Sequence, residues 1–153
     1  MKYNEVMKVE PGTNLVVGDI TFPVHKVSDY KTRTNDRWRD LISKAEKAEY
    51  VLELQAGDNE VRFWSQILDM PEIEPGVKEL DYGGRHFEPV ESGTKARVVT
   101  KDKEGTVEED SITSVYADVE DENILFSIER KGEKLFLWYS TLVFDLKSIK
   151  VSK

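Results

Sequence analysis

Apolar and polar residues alternate in short runs along most of the chain, which is the pattern of a strand with one buried face. Residues 49–55 (EYVLELQ) place Leu52 and Leu54 on one side of such a strand. The turn-forming residues 56–59 (AGDN) follow, and residues 60–68 are predicted to form the returning strand. The same pattern predicts further strands at 20–27, 78–82, 85–90, 95–100, 112–119, 124–130, 134–139 and 143–151.

The regular spacing of these runs predicts a mainly β fold. Short strands separated by turn signals are typical of a single-domain antiparallel barrel or sandwich, here of about eight to ten strands. Gly83 and Gly84 lie between two of the runs, and a Gly-Gly loop suits a primed hairpin turn, which needs positive φ. The length of 153 residues is that of one domain, in which residues 1–13 are expected to form a loosely ordered start.

One segment departs from the alternation and predicts a helix near residues 35–48. The sequence NDRWRDLISKAEKA places Trp38, Leu41, Ile42 and Ala45 at the i, i+3, i+4 and i+7 positions of one helical stripe. We expect this helix to lie over one open end or edge of the sheet and to bury Trp38.

Composition excludes several kinds of chemistry. The chain contains no cysteine, so it has no disulfides, zinc–thiolate sites, cysteine-ligated iron–sulfur clusters or thiol catalysis. Its 22 Lys and Arg against 30 Asp and Glu give a net charge of −8. General affinity for DNA or RNA requires clustered Lys and Arg, so we expect no nucleic-acid partner.

The excess negative charge comes from one segment. Residues 104–122 contain eight Asp or Glu and no Lys or Arg, whereas the rest of the chain is neutral by formal count. Such a segment is typical either of solvated loops or of a docking face for a basic partner or a hard cation. No calcium-loop sequence is present, and no metal site is predicted. The candidate partner-binding residues form two groups that flank the predicted strand 112–119: Glu108, Glu109 and Asp110, and then Glu120, Asp121 and Glu122.

Two tryptophans are candidate ligand-binding residues. Adjacent side chains in a strand point to opposite faces, so Trp64 and Phe63 cannot both face one core. The same argument applies to Trp138 and Tyr139. Either both faces of these strands are buried, or one face lines a ligand pocket or a partner interface.

Evidence for catalysis is weak in the sequence. His25 and His86 each lie in a predicted strand and outside any known catalytic motif. The motifs of nucleophilic hydrolases, zinc proteases and phosphate-binding loops are missing. We therefore predict no catalytic residue and no cofactor, and a binding protein is favoured over an enzyme.

The chain start and its hydropathy bear on location. Residues 1–12 (MKYNEVMKVEPG) have neither the apolar run nor the cleavage site of a signal peptide. No apolar stretch of the chain is long enough for a membrane span. We expect a cytoplasmic protein without membrane insertion.

Seven short fragments, taken in order, carry a resemblance to a family. The chain resembles the prokaryotic domain of unknown function 4178 over about residues 15–151. No activity is established for that family, so the resemblance implies no catalytic residue. Genes of the family often lie near those for membrane-stress proteins of the phage-shock type, which implies an accessory or interaction role. The fragments are LVVGD at 15–19, EYVLE at 49–53, RFW at 62–64, YGGRHF at 82–87, GTKARV at 93–98, YAD at 116–118 and LFSIER at 125–130.

Three functions remain open from the sequence. The leading hypothesis is a non-enzymatic binding or adaptor module that contacts a protein partner through an edge strand, an aromatic face or the acidic loops. A small-molecule-binding β-barrel is the first alternative, and it predicts an enclosed apolar cavity of roughly 300 Å³ or more. An enzyme that uses Asp or Glu is the second, and it predicts two converging carboxylates of raised pKa.

Overall fold

The computed structural model describes residues 1–152 and is built almost entirely of antiparallel strands. One short helix, α1, precedes them, and a single 3₁₀ turn lies near the end of this range. The elements are α1 Tyr3–Val6, β1 Asn14–Val17, β2 Ile20–Pro23, β3 Lys26–Lys31, β4 Arg37–Ala45, β5 Ala48–Gln55, β6 Glu60–Gln66, β7 Leu80–Tyr82, β8 Arg85–Lys101, β9 Thr106–Asp118, β10 Leu125–Lys131, β11 Lys134–Asp145, the 3₁₀ turn Leu146–Ser148 and β12 Ile149–Val151.

Eight of the strands close into a barrel. They follow the order β3-β4-β5-β6-β11-β10-β9-β8, and β8 pairs back with β3. The short strand β7 adds to the other end of β8 outside the closed ring. The predicted mainly β, antiparallel, single-domain fold is confirmed, with the barrel in place of the sandwich. An eight-stranded barrel has an interior just wide enough for side chains or for one small ligand.

Two apolar layers cover the outside of the barrel. The small sheet β12-β1-β2 and α1 pack over the outer face of β4 and β5, where Leu41, Leu52 and Leu54 are buried. On the opposite side, β7 and the segment 67–79 cover the outer face of β9, β10 and β11, including Phe126 and Ile128. Most of the apolar core therefore lies between the barrel wall and these layers.

The chain start belongs to the first of these layers. The sequence predicted that residues 1–13 are loosely ordered, whereas the structure places Val6 and Val9 in the core. The terminal ammonium of Met1 donates to the carbonyl oxygens of Leu146 and Ile149 at 2.9 and 2.7 Å.

The helix predicted near residues 35–48 is wrong. Residues 37–45 form β4, and a tight turn with Glu46 at φ 58° leads into β5. Asp40, Leu41, Ile42 and Ser43 are consecutive and all buried, because the inner face of β4 lines the barrel and its outer face lies under the small sheet. A strand that is buried on both faces loses the alternation of period two, and the apolar residues that remain happened to match a helical spacing.

Three further predicted boundaries are corrected. The predicted strands 85–90 and 95–100 are one strand, β8, whose pairing with β9 shifts register between Pro89 and Thr94. The predicted strand 20–27 divides into β2 and β3. The predicted strand 143–151 is divided by the 3₁₀ turn Leu146–Ser148.

The Gly-Gly hairpin is confirmed and provides a first prediction. Gly83 and Gly84 join β7 to β8 with φ of 59° and 74°. A side chain is strained in this region, so Gly84→Ala is expected to lower the free energy of unfolding by about 1 kcal/mol in urea titrations. Gly76→Ala is the matched control, because Gly76 has no positive φ and no atom within 4 Å of an added Cβ. Equal losses in both variants would contradict the conformational explanation.

Candidate functional site

The inner face of the barrel carries carboxylates. Asp40 on β4 and Glu53 on β5 are directly opposite in the strand register, and Ser28 on β3 continues the row on the other side of Asp40. Directly opposite residues in a sheet project from the same face, with Cβ atoms about 4.5–5.5 Å apart. The two acidic side chains therefore lie beside each other inside the barrel.

These residues line a chamber of about 310 Å³ in the barrel interior. Its wall includes side chains from β4, β5, β6, β8, β9, β10 and β11. The lining contains acidic and aromatic residues, so the chamber differs from the apolar cavity that the sequence predicted for a ligand-binding barrel. Its charged lining residues are Asp36, Arg37, Asp40, Glu53, Glu91 and Glu129.

Asp40 is the least satisfied of these groups. Its side chain is buried, with 9% of the residue exposed. Within residues 1–152, its Oδ1 atom is buried and has no hydrogen-bond partner. Burial, with added repulsion from Glu53 and Glu129, raises the pKa of Asp40 well above its ordinary value. Asp40 therefore retains its proton at a pH where an exposed aspartate has lost it.

Glu53 lies next to Trp64. The indole Nε1–H of Trp64 donates to Oε1 of Glu53 at 3.3 Å, which favours the ionised carboxylate. Burial has the larger, opposite effect and raises the pKa of Glu53 to about 7. Glu53 therefore changes its charge near neutral pH.

Glu129 on β10 is held by two hydroxyl donors. The phenol of Tyr30 donates to its Oε2 at 2.5 Å, and the hydroxyl of Ser111 donates to the same atom at 3.1 Å. Burial and the neighbouring Glu129 carboxylate raise the pKa of Tyr30 well above its ordinary value. The three groups form a buried network that links β3, β9 and β10.

Three tryptophans form the aromatic part of the lining. Trp64 and Trp138 are 5% and 6% exposed and pack in one cluster. Trp138 stacks on Phe136, with ring centroids 5.7 Å apart, and Trp38 stacks on Tyr30 at 4.7 Å. Because these contacts hold the rings in place, the chamber presents aromatic surface of fixed orientation beside its carboxylates.

An opening lies between the β3–β4 turn and an irregular part of β8. The turn contains Asn35 at φ 66°, and the register shifts of β8 occur around Glu91. Bulges are common at barrel rims and beside active sites. Thr32, Asp36, Glu91 and Thr94 line both the chamber and an outer groove of about 1030 Å³. The chamber therefore opens into this groove.

The structure brings Trp64 and Trp138 together and keeps the six predicted acidic residues away from them. Trp64 faces the chamber, whereas Phe63 packs in the outer core. Trp138 and Tyr139 divide between inner and outer clusters in the same way. One face of each strand therefore lines the chamber, and the other face, with the half-buried Phe63 and Tyr139, packs against the outer layers.

The first predicted acidic group lies within β9, which corrects the prediction that it precedes a strand 112–119. Its strand begins at Thr106 because β8 pairs with it that far. Arg97 on β8 contacts Glu108 at 3.1 Å and Asp110 at 2.9 Å, so part of this charge is neutralised locally. The second group, Glu120, Asp121 and Glu122, is exposed in the turn between β9 and β10.

Both histidines lie apart from the chamber lining. His25 is exposed, and its Nδ1 accepts the backbone N–H of Lys44 at 3.2 Å. His86 pairs with Asp81 at 2.7 Å, and this hydrogen bond raises the pKa of His86.

Sequence reasoning missed Asp40, Glu53 and Glu129 as site residues. In the sequence, Glu53 lies between Leu52 and Leu54 on the opposite side of the strand predicted at 49–55, and Asp40 lies in the segment predicted to be a helix. One sequence signal could have identified them: an acidic residue stands in the middle of a strand that is expected to be buried on both faces. Such a residue costs free energy in a core unless it has a role or a partner.

Within 1–152, no cluster of three or more His, Asp or Glu is arranged to hold a metal ion. The same range contains no helix that is long and apolar enough to cross a membrane.

Comparison with known proteins yields no relative: no protein-family model, curated protein or solved structure matches the chain. The resemblance to the domain of unknown function 4178 therefore stays a prediction.

Proposed function

We propose that this protein is a small-molecule-binding β-barrel and that its ligand occupies the interior chamber. The observation that carries the proposal is the buried, unpartnered Oδ1 of Asp40 in the wall of a 310 Å³ chamber. A solid barrel of this strand number is ordinarily filled by apolar side chains. Here the barrel encloses space, tryptophan surface and carboxylates, and ligand sites combine these features.

The chamber is a better candidate site than the exposed acidic groups. A pocket near 300 Å³ is at the lower end of the range for small-molecule sites, so the ligand is small. Glu108 and Asp110 line open surface grooves, but both are already paired with Arg97. Glu120, Asp121 and Glu122 are exposed in a turn. Binding of a protein partner through these groups stays a prediction.

A panel of small amines, carboxylates, sugars and heterocycles tests the proposal. At 100 times its dissociation constant, a ligand stabilises the folded state by about 2.7 kcal/mol, which a thermal shift detects. We expect at least one compound class to raise the Tm of the wild-type protein and to change its tryptophan fluorescence.

Two matched variants assign such binding to the chamber. Thr94→Trp places a large side chain at the opening, because Thr94 lines the chamber. Ser92→Trp adds the same side chain to an exposed residue of the same strand region. Binding that Thr94→Trp abolishes and Ser92→Trp retains supports the proposal. If every compound affects wild type and Thr94→Trp equally, the chamber is not the site.

An acid–base enzyme is the second candidate, and the Asp40–Glu53 pair is the observation that favours it. General acid–base catalysis works best with a group whose pKa lies near the operating pH, and burial raises the pKa of Glu53 to about 7. Incubating bound compounds with wild type and Glu53→Gln, followed by mass spectrometry, distinguishes the two functions. A product formed only by the wild type supports the enzyme, and unchanged compounds support the binding protein.

A further inference from the structure

We propose that the chamber is selective for an organic cation, either a protonated amine or a quaternary ammonium group, held by Asp40 and Glu53 beside tryptophan surface. This inference rests on the proposed function and specifies its ligand class.

The charge of the lining is the first argument. Five lining residues are acidic, namely Asp36, Asp40, Glu53, Glu91 and Glu129, and Arg37 is the one basic residue among those that line the chamber within 1–152. An ionised carboxylate removed from water requires an opposite charge or hydrogen-bond donors. A protonated amine supplies both to the unpartnered oxygen of Asp40, and a quaternary ammonium group supplies the opposite charge.

The aromatic surface is the second argument, and it favours an organic cation over a metal ion. A cation over an aromatic face is attracted by the ring quadrupole, most strongly by tryptophan, and cages of such rings recognise quaternary ammonium groups. Trp38, Trp64 and Trp138 all line the chamber. The carboxylates, in contrast, are not arranged as a metal site within residues 1–152.

Lys131 shows that this interior already attracts an ammonium group at its edge. The Nζ atom of Lys131 lies 5.8 Å from the ring centroid of Tyr30 and 5.5 Å from that of Phe136. Lys131 also lowers the pKa of Asp40, although burial outweighs this effect. The side chain does not line the chamber, so a second cation is free to enter from the opening.

The remaining basic group near Glu53 is engaged elsewhere. Arg62 donates to the carbonyl oxygen of Asn123 at 3.1 Å and to Oγ of Ser140 at 3.2 Å. Its charge favours ionised Glu53 without forming a hydrogen bond to it.

Cation binding is expected to be linked to pH through the chamber carboxylates. A cation favours the ionised forms of Asp40 and Glu53, so affinity rises as these groups lose protons. Asp40 is faced by Tyr30 on β3, Glu53 on β5, and Glu129 and Lys131 on β10, and Asp29 on the outer face of β3 acts on it through its charge. Glu53 is also faced by Trp64 and Arg62 on β6 and by Glu91 on β8.

Choline and its neutral carbon isostere, 3,3-dimethylbutan-1-ol, form the central comparison, with 3,3-dimethylbutyrate as the anion. Titration calorimetry at pH 8 is expected to give choline an affinity at least about 10-fold higher than the isostere, and the butyrate no binding. Between pH 6 and 8, the affinity for choline is expected to rise by up to about 10-fold, while that for the neutral isostere stays constant. Choline has no titrating group in this range, so the change reports on the protein.

Variants connect the selectivity to the named carboxylates. Glu53→Gln keeps the size of the side chain and is expected to weaken choline binding by about 10-fold or more and to remove most of its pH dependence. Asp58→Asn removes one charge in the exposed turn after β5 and is expected to leave both unchanged. If Glu53→Gln does not fold, the pH profile of the wild type still decides.

The outcomes separate this inference from the proposed function. Equal affinity for choline and the isostere, or ligands in the wider panel that are all neutral or anionic, overturns the cation inference and leaves the binding barrel in place. If no compound distinguishes the wild type from Thr94→Trp, both the cation inference and the proposed function are overturned.

Discussion

Replacing Asp40 with asparagine is expected to raise the free energy of unfolding at pH 8 by about 1–3 kcal/mol, the cost of a buried polar group that lacks its partner. The wild-type Oδ1 is buried and unpartnered, and ionisation of this carboxyl group must occur beside Glu53 and Glu129. Asparagine has nearly the same shape, is neutral at every pH and carries an amide that donates to nearby carboxylates. The substitution therefore removes the cost of holding this carboxyl group protonated, or of ionising it in the barrel, at a pH where the unfolded chain has lost the proton, and it creates no cavity.

The gain from Asp40→Asn depends on pH in a defined direction. The folded-state pKa of Asp40 is raised, so the unfolded chain loses this proton first as pH increases. Below the ordinary aspartate pKa both states are protonated and the full stability is present. As pH rises towards the folded-state pKa, stability is lost. We therefore expect the variant and the wild type to be similar near pH 4 and to diverge towards pH 8.

Glu53 acts in the same direction over a narrower window. Its pKa rises from 4.5 to about 7, so the wild type loses stability between these values. Glu53→Gln is expected to flatten the profile in that interval. Urea titrations at several pH values, with Asp58→Asn as the exposed control, measure both effects. If the free energy of unfolding of the wild type rises from pH 5 to pH 8 by as much as that of the two variants, the raised pKa values assigned to Asp40 and Glu53 are contradicted.

The effect of Asp40→Asn on stability distinguishes a functional role of Asp40 from a structural one. Residues that maintain a fold destabilise it when replaced, whereas site residues are commonly kept at a cost in stability. If Asp40 belongs to a ligand site, we therefore expect Asp40→Asn to be more stable than the wild type and to bind choline more weakly. A destabilised Asp40→Asn variant indicates instead that the carboxyl group supports the barrel wall.

The sequence predicted most of the strands, though not β4, and did not predict which face of each strand lies inside the barrel. In residues 49–55 the alternation correctly separates Leu52 and Leu54 from Glu53. Alternation carries no information on direction, however, and here the apolar side faces outer layers while the polar side faces the chamber. Those layers are made by β1, β2, β12 and α1 on one side and by β7 and the segment 67–79 on the other. Contacts between such distant parts of the chain are not encoded in a local pattern.

The candidate site was predictable in part for the same reason. Trp64 and Trp138 were identified because a large aromatic residue next to another in a strand requires two buried faces. Asp40 was hidden because β4 is buried on both sides and its spacing resembles a helix. The pairing of Asp40 with Glu53 depends on the β4–β5 register. That register is set by the turn at Glu46, which exists only in the folded hairpin.

Tyr30→Phe is expected to have the second large effect and to lower the free energy of unfolding by about 1.5–3 kcal/mol. This is the range for a hydrogen bond to a charged group. The phenol of Tyr30 donates to Oε2 of Glu129 at 2.5 Å in the buried network. Phenylalanine keeps the stacking on Trp38 but leaves Glu129 with Ser111 as its hydroxyl donor. The loss therefore measures the hydrogen bond rather than the packing.

Tyr50→Phe is the matched control for this measurement. Tyr50 is half-buried and stacks on Phe63 at 5.9 Å, and its hydroxyl makes no hydrogen bond within residues 1–152. We expect its unfolding free energy to change by less than about 0.5 kcal/mol. Combining Tyr30→Phe with Glu129→Gln completes a double-mutant cycle, which isolates the interaction between the two groups. Strict additivity would mean that Tyr30 and Glu129 contribute independently, and the loss in Tyr30→Phe would then come from the buried hydroxyl alone.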